Sequence, residues 1–158
     1  MAEANDPQFA LQKIYIKDAS FESPNPAKFF SEKGLKPEVN LNLNTESAKL
    51  SEDIYEVTLN ITISAAIKDS DTTVYLVEVK QAGIFAMKNI PEAQLGQMIN
   101  AYCPTVLFPY AREAISSLVE RGGFPQLLLA PINFDALYQQ HQAKLAESQA
   151  EASSESKH

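Results

Sequence analysis

The chain has no Trp, a single Cys at position 103 and only two His, at 141 and 158, among its 158 residues. One thiol cannot close an intramolecular disulfide, so an oxidising compartment has left no mark and the cytosol is the expected location. With His158 the final residue, no His, Cys and carboxylate group has metal-ligand spacing, and no metal site is expected. Glycine is also scarce. The five glycines, at 34, 83, 96, 122 and 123, form neither a GxGxxG motif nor a Walker loop, so no backbone cradle for a nucleotide phosphate is expected, and no cofactor. Basic residues are outnumbered, 13 Lys and Arg against 20 Asp and Glu, for a net charge of −7. That balance argues against nucleic acid and against acidic lipid surfaces, both of which need cationic side chains.

Long apolar runs are absent as well. The longest uncharged stretch, residues 93–111, is interrupted by Gln94, Gln97, Asn100, Pro104 and Pro109, so no membrane insertion is expected. Residues 1–7 carry two acids and no base, the wrong charge for a secretory leader, and no apolar core follows them; nothing is expected to be cleaved or anchored. What remains is a chain that is 45% hydrophobic and long enough for one core to bury roughly 70% of the surface exposed by the unfolded chain.

Periodicity divides that chain. Residues 9–21 interleave β-branched, aromatic and polar side chains, and the turn cluster Ser23-Pro24-Asn25-Pro26 follows, which predicts a long first strand. Residues 27–34 predict a helical turn closed by Gly34. Val39, Leu41 and Leu43 alternate with Asn40, Asn42 and Asn44. In residues 54–64, Val57, Leu59, Ile61 and Ile63 share one face and Glu56, Thr58, Asn60 and Thr62 the other, as in an antiparallel sheet with one wet face. The polar turn 68–71 leads into a partner strand over 73–85, with Tyr75, Val77 and Val79 opposite Val74, Leu76, Glu78 and Lys80.

After Pro91 the spacing turns helical: Leu95, Met98, Ile99 and Tyr102, then Leu107, Tyr110, Ala111, Ala114, Ile115 and Leu118, stopped by Gly122-Gly123. Residues 124–131 predict an extended segment lying on the core, and Asn133 an N-cap for a last helix presenting Phe134, Leu137 and Tyr138. From Ala143 onward the composition holds no aromatic or β-branched residue, which predicts disorder. The expected organisation is a flexible N-terminus over 1–8, one domain over 9–142 and a disordered polar tail over 143–158. Strands first and helices last make an α+β fold.

The reactive groups are few. Cys103, His141 and Asn133 together would suit a thiol nucleophile, its base and an orienter, against the plainer reading of Cys103 as a small buried hydrophobe. Asp18 and Glu22 fall on one face of the first strand, and Leu76 and Glu78 share a face of the strand over 73–85. Carboxylates around an exposed apolar side chain suit a basic, partly apolar peptide, while a charge at a strand end is commonly just solvated. A second feature is apolar excess: Leu35, the Val39/Leu41/Leu43 stripe, Phe124 and Leu127-Leu128-Leu129. These residues either complete the domain's own core or an oligomer interface, or line a groove for extended peptides.

Three runs carry a resemblance. Lys17-Asp18-Ala19-Ser20-Phe21-Glu22-Ser23-Pro24, Gln81-Ala82-Gly83-Ile84-Phe85 and Ala101-Tyr102-Cys103-Pro104 through Leu107-Phe108-Pro109-Tyr110-Ala111-Arg112-Glu113 resemble the SecB family of bacterial export chaperones. The likeness continues through Arg121-Gly122-Gly123-Phe124-Pro125-Gln126-Leu127 and Ala130-Pro131-Ile132-Asn133-Phe134-Asp135-Ala136-Leu137, and covers about residues 9–140. It implies a four-stranded antiparallel sheet with helices on one face, assembled as a homotetramer, a dimer of dimers. It further implies an ATP-independent cytosolic chaperone, not an enzyme, that keeps unfolded precursor proteins translocation-competent and delivers them to SecA, the motor ATPase of the Sec translocase.

By that resemblance Asp18, Glu22, Leu76 and Glu78 contact a basic, zinc-bearing C-terminal tail of SecA, the metal belonging to the partner. Val77, Val79 and Gln81 affect subunit association. Leu35, Val39, Leu41, Leu43, Phe124, Leu128, Phe134 and Leu137 form the client groove. Leu35 stands where relatives commonly carry Trp, and Ala82 where a second Gly is usual.

Overall fold

Strand propensity dominates the first half of the chain, where β-branched residues alternate with polar ones, and helix formers dominate the second. In the computed structural model, which describes residues 5–155, the first half forms four long strands. They are β1 (Gln8–Glu22), β2 (Pro37–Ser51), β3 (Ile54–Ile67) and β4 (Thr73–Lys88), with the short helix α1 (Pro26–Ser31) between β1 and β2. The strands form one antiparallel sheet in the order β1-β4-β3-β2. The expected α+β class, with helices on one face of a four-stranded sheet, is what the structure has.

Cross-strand partners share a face, so the register decides what lies inside. Ile61 faces Leu43 on β2 and Val79 on β4, and Ile63 faces Leu41 and Val77. The inner face thus carries Val57, Leu59, Ile61, Ile63, Val77 and Val79, all fully buried. Covering it is α3 (Cys103–Arg121), whose Leu107, Ala111, Ile115 and Val119 recur every fourth residue and are buried against β3 and β4. Gly83 lies under this helix, close to Leu107.

The helical segment after Pro91 is not one uniform helix. It begins as α2 (Glu92–Gln97), widens into a π-helical turn (Met98–Tyr102) and tightens again into α3, with the Cys103 N–H donating to the Met98 carbonyl five residues back. Pro104 explains the widening: it has no N–H to give, and its ring would clash with the carbonyl four residues earlier in a regular helix. Gly123, at φ 87°, supplies the left-handed residue just beyond the end of α3. Residues 124–133 then cross the core without regular structure, anchored by the buried Phe124 and Leu129. Asn133 Oδ1 accepts the Ala136 N–H at 3.0 Å, the expected cap of α4 (Phe134–Glu155).

One expectation is overturned. Residues 143–155, read as disordered, continue α4 as exposed helix; residues 156–158 lie outside the described residues. Intrinsic helix propensity orders this stretch without burial. Ala, Leu, Glu, Gln and Lys between 143 and 151 are strong helix formers with no Gly or Pro among them, and the Ser148 hydroxyl bonds back to the Lys144 carbonyl at 2.7 Å. Of the N-terminus read as flexible, residues 1–4 lie outside the described residues, while the Asp6 carbonyl accepts a 3.1 Å hydrogen bond from Asn89 Nδ2 and β1 starts at Gln8.

The close approach of helix and sheet gives a direct test. A Cβ on Gly83 would lie 2.8 Å from Phe85 Cε2 and 3.1 Å from Leu107 Cδ2, both on fully buried side chains. Gly83→Ala is expected to lower the unfolding free energy by about 1–3 kcal/mol, the usual cost of overpacking, in urea titrations at fixed protein concentration. An unchanged midpoint would mean that α3 rides higher on the sheet than described.

Candidate functional site

The outer face of the sheet carries the charged candidates. In the β1–β4 register Glu22 faces Leu76, Ser20 faces Glu78 and Asp18 faces Lys80, so Asp18, Glu22, Leu76 and Glu78 form one contiguous patch. A bulge between Ile16 and Asp18 re-phases β1, keeping Phe21 inward while Asp18 and Glu22 point out. Lys80 sits within this patch, a cation among three carboxylates.

A second charged group on the same face escaped the sequence reading. The Tyr15 hydroxyl donates to Glu56 Oε2, and Lys17 Nζ lies 2.9 Å from Glu56 Oε1. Tyr15 and Glu56 stand two strands apart, with β4 between them. On that face β4 sets Ala82 opposite Tyr15 and Ile84 opposite Glu56, so the phenol reaches diagonally across the strand. Burial, then the hydrogen bond to the Glu56 carboxylate, pushes the Tyr15 phenol up to about 12. The same hydrogen bond, followed by that of Lys17, holds Glu56 below its usual range. No sequence pattern joins residues 41 positions apart across an intervening strand, so nothing in the sequence pointed to this cluster.

The apolar candidates fall on the helix side of the sheet, in two hollows. A groove of about 650 Å³ between edge strand β2 and α4 is lined by the candidates Leu41, Leu43, Phe134 and Leu137, and also by Tyr138 and His141. A cavity of about 430 Å³ lies between α1 and the 124–127 segment, lined by Leu35, Phe124, Phe29, Tyr75, Pro37 and Leu127. Phe29, Phe30, Phe21 and Tyr75 surround Phe124 with ring centroids 5.0–6.2 Å away. Three of these four lay in the sequence as Phe21 and the pair Phe29-Phe30 flanking a proline-rich turn, which was the available signal.

Two groups differ from expectation. Val39 is exposed at the end of the β2 stripe and lines neither hollow, and Leu128, 71% exposed, faces the outer side of α3 beside Pro109 and Arg112. The 124–131 segment is extended, so Leu127 and Leu128 point opposite ways, and Leu127 takes the inner position. Val77, Val79 and Gln81, expected at an oligomer interface, are buried within the chain under α3, with Gln81 Nε2 donating to the Tyr15 carbonyl at 3.2 Å. They belong to the inner face by register and are enclosed within their own chain. Cys103 is fully buried, and burial pushes its thiol up to about 12, away from the thiolate that a nucleophile needs; Asn133 is engaged as a helix cap. The plainer reading of Cys103 is the one that fits.

Comparison with known proteins follows the same lines. The family model described as "Preprotein translocase subunit SecB" matches residues 2–145. The chain is 53% identical over 153 residues to the Protein-export protein SecB of Marinobacter nauticus, covering 97% of this chain and 89% of that one. It is 50% identical over 154 residues to the Protein-export protein SecB of Methylococcus capsulatus, covering 96% and 97%. In fold it is similar to a SecB-like chaperone of Mycobacterium tuberculosis solved with a peptide from the HigA1 antitoxin, with a TM-score of 0.59, 18% identity, and coverage of 78% of this chain and 90% of that one.

Two measurements test the site chemistry. The native Cys103 thiol is expected to stay unreacted toward a chromogenic disulfide reagent at neutral pH and to react fully in denaturant; rapid native labelling would reopen the nucleophile reading. Tyr15, whose folded value of about 12 exceeds the ordinary 10.0, contributes stability that is complete below pH 10 and is lost as pH rises from 10 toward 12. Tyr15→Phe is therefore expected to flatten the alkaline fall in denaturant midpoint over that window, and an unchanged fall would show that the phenol titrates normally.

Proposed function

The chain belongs to the SecB family of protein-export chaperones, and from that premise we propose that it holds unfolded precursor proteins in the cytosol without ATP and hands them to the SecA motor ATPase. The observation that carries this reading is the division of the two surfaces by the sheet. Apolar hollows open on the helix side and the charged patch lies on the opposite face, so a client and a second protein partner can be held at once.

Clients are unfolded chains, whose apolar segments the grooves between β2 and α4 and beside Phe124 accept without demanding a sequence. One groove gives weak binding. A homotetramer built as a dimer of dimers repeats it, and linked sites gain about 100- to 10,000-fold in avidity with no new kind of contact. Folding of the client hides the segments that bind, so mass action alone releases it and no nucleotide is needed. The influence of Val77, Val79 and Gln81 on association is indirect, through the inner face that seats α3.

SecA is met by Asp18, Glu22 and Glu78 through long-range attraction of its basic, zinc-bearing tail, with Leu76 as the apolar contact. Lys80, opposite Asp18, limits that field and makes Glu78 the more exposed lever.

The test separates the two surfaces. Glu78→Lys combined with Asp18→Asn is expected to lower SecA affinity at least about tenfold, in line with loss of close charge pairs, while leaving the arrest of client refolding unchanged. Replacing Asp18 by Asn rather than Lys avoids two ammonium groups side by side with Lys80. Loss of both activities together would make the patch structural, and nucleotide-dependent holding would overturn the passive mechanism.

A further inference from the structure

The 430 Å³ cavity beside Phe124 has a smaller neighbour of about 170 Å³ on the far side of α1, lined by Ile67, Thr73 and Val74. The two share only Phe29 and Leu35, so these two side chains form the wall between them. Leu35 belongs to the loop before β2, and Phe29 to the least secured element of the domain. Helix α1 is six residues long, has no buried residue, and its N-cap Asn25 makes no side-chain capping bond. Ser31 Oγ bonds only to the Lys28 carbonyl within α1, and among the described residues no α1 side chain hydrogen-bonds to another element. The segment is bounded by Pro24 and Pro26 on one side and by Gly34, at φ 82° with open space around it, on the other.

What holds α1 in place is aromatic. The Phe29 ring lies 5.5 Å and the Phe30 ring 5.0 Å from Phe124, and Phe30, although half exposed, also rests on Gly123. Phe124 is thus covered by rings from its own chain at the mouth of a cavity suited to an aromatic side chain.

We propose that α1 is a displaceable latch: Phe30 occupies, within the free chain, the stacking position on Phe124 that an aromatic side chain of an unfolded client takes when it binds, and the client's entry swings α1 outward about Pro24–Pro26 and Gly34. This rests on the client-holding reading and adds its regulation. Displacing the latch taxes each binding event, so an isolated aromatic residue on a folded protein gains little, whereas a chain offering several such residues overcomes the tax at repeated sites. The free chaperone meanwhile keeps Phe124 and the larger cavity away from other apolar surfaces.

The absence of Trp from the chain provides the reporter. In the full-length Phe30→Trp variant, binding of reduced, carboxamidomethylated ribonuclease A, an unfolded chain without Trp, is expected to shift the indole emission to the red as the ring leaves Phe124 for water. In parallel, Phe30→Ala is expected to bind the same chain about 2- to 10-fold more tightly than wild type, the equivalent of one aromatic pair no longer broken. A blue shift or no shift on complex formation, with the complex confirmed by light scattering, would make Phe30 part of the client's binding wall and overturn the latch, as would weaker binding by Phe30→Ala. If wild type itself forms no complex by light scattering, the holding function fails and the latch falls with it.

Discussion

The register of β3 against β4 is the constraint on which the remaining structure depends. Strand β3 alternates strictly over residues 56–64, so the pairing that sets Ile61 against Val79 and Ile63 against Val77 sends Glu56, Asn60, Thr62 and Glu78 to the opposite face together. A slip of β3 by one residue would drive Glu56, Thr58, Asn60 and Thr62 beneath α3 and expose the buried Val57, Leu59, Ile61 and Ile63, at about 1.5–3 kcal/mol for each. No local adjustment offsets such an exchange. The sheet therefore has one apolar and one polar face as a single decision, and the helices have only one place to go.

The distribution of order follows from that decision. At the centre, α3 is fixed by close packing on Gly83 and by an unbroken stripe of small and branched residues. At the edges the ties weaken. Strand β1 tolerates two bulges because it has a partner on only one side, and β2 leaves Val39 and Leu41 partly open to solvent for the same reason. Helix α1 is held by rings alone, and α4 is seated by its first turn, through Phe134 on Phe108, before running out along the solvent. The two apolar hollows lie where a rigid element meets a weakly tied one: β2 against α4, and the 124–127 segment against α1. A binding surface that must accept many different segments is well served by one firm wall and one that yields.

Period-two alternation made the sheet legible from the sequence, because Val57, Leu59, Ile61 and Ile63 of β3 and Val77 and Val79 of β4 are inward and aliphatic and the 68–71 turn between the two strands carries its own polar cluster. The grouping of Asp18, Glu22, Leu76 and Glu78 was legible for the same reason, since all four follow from strand phase. The Tyr15–Glu56–Lys17 cluster was not, as it depends on strand order rather than on any one strand. Two expectations failed through reasoning about burial alone. Residues 143–155 are helical because of backbone propensity without a core, and Leu128 points outward because an extended chain alternates, so apolar character by itself did not tell it from Leu127. The resemblance supplied roles for these residues, and only the fold could show that Val77, Val79 and Gln81 are enclosed within their own chain.

The proposed passive holding places an upper bound on how good each groove can be. A chaperone with no fuel has no stroke with which to expel its client, so release depends on each contact breaking often enough for the client's own folding, or the pull of a motor, to prevail. Shallow hollows open to water on one side meet that requirement better than a deep enclosed pocket, which would bury most of a bound side chain and hold it long. In the proposed homotetramer affinity comes from repetition instead, and repetition discriminates sharply. An unfolded chain satisfies several grooves at once, while a folded protein presents at most one isolated segment. On the proposed function the exposed Leu41 and Leu137, unfavourable on an ordinary monomer surface, are the cost the fold carries for binding chains that have no fixed shape.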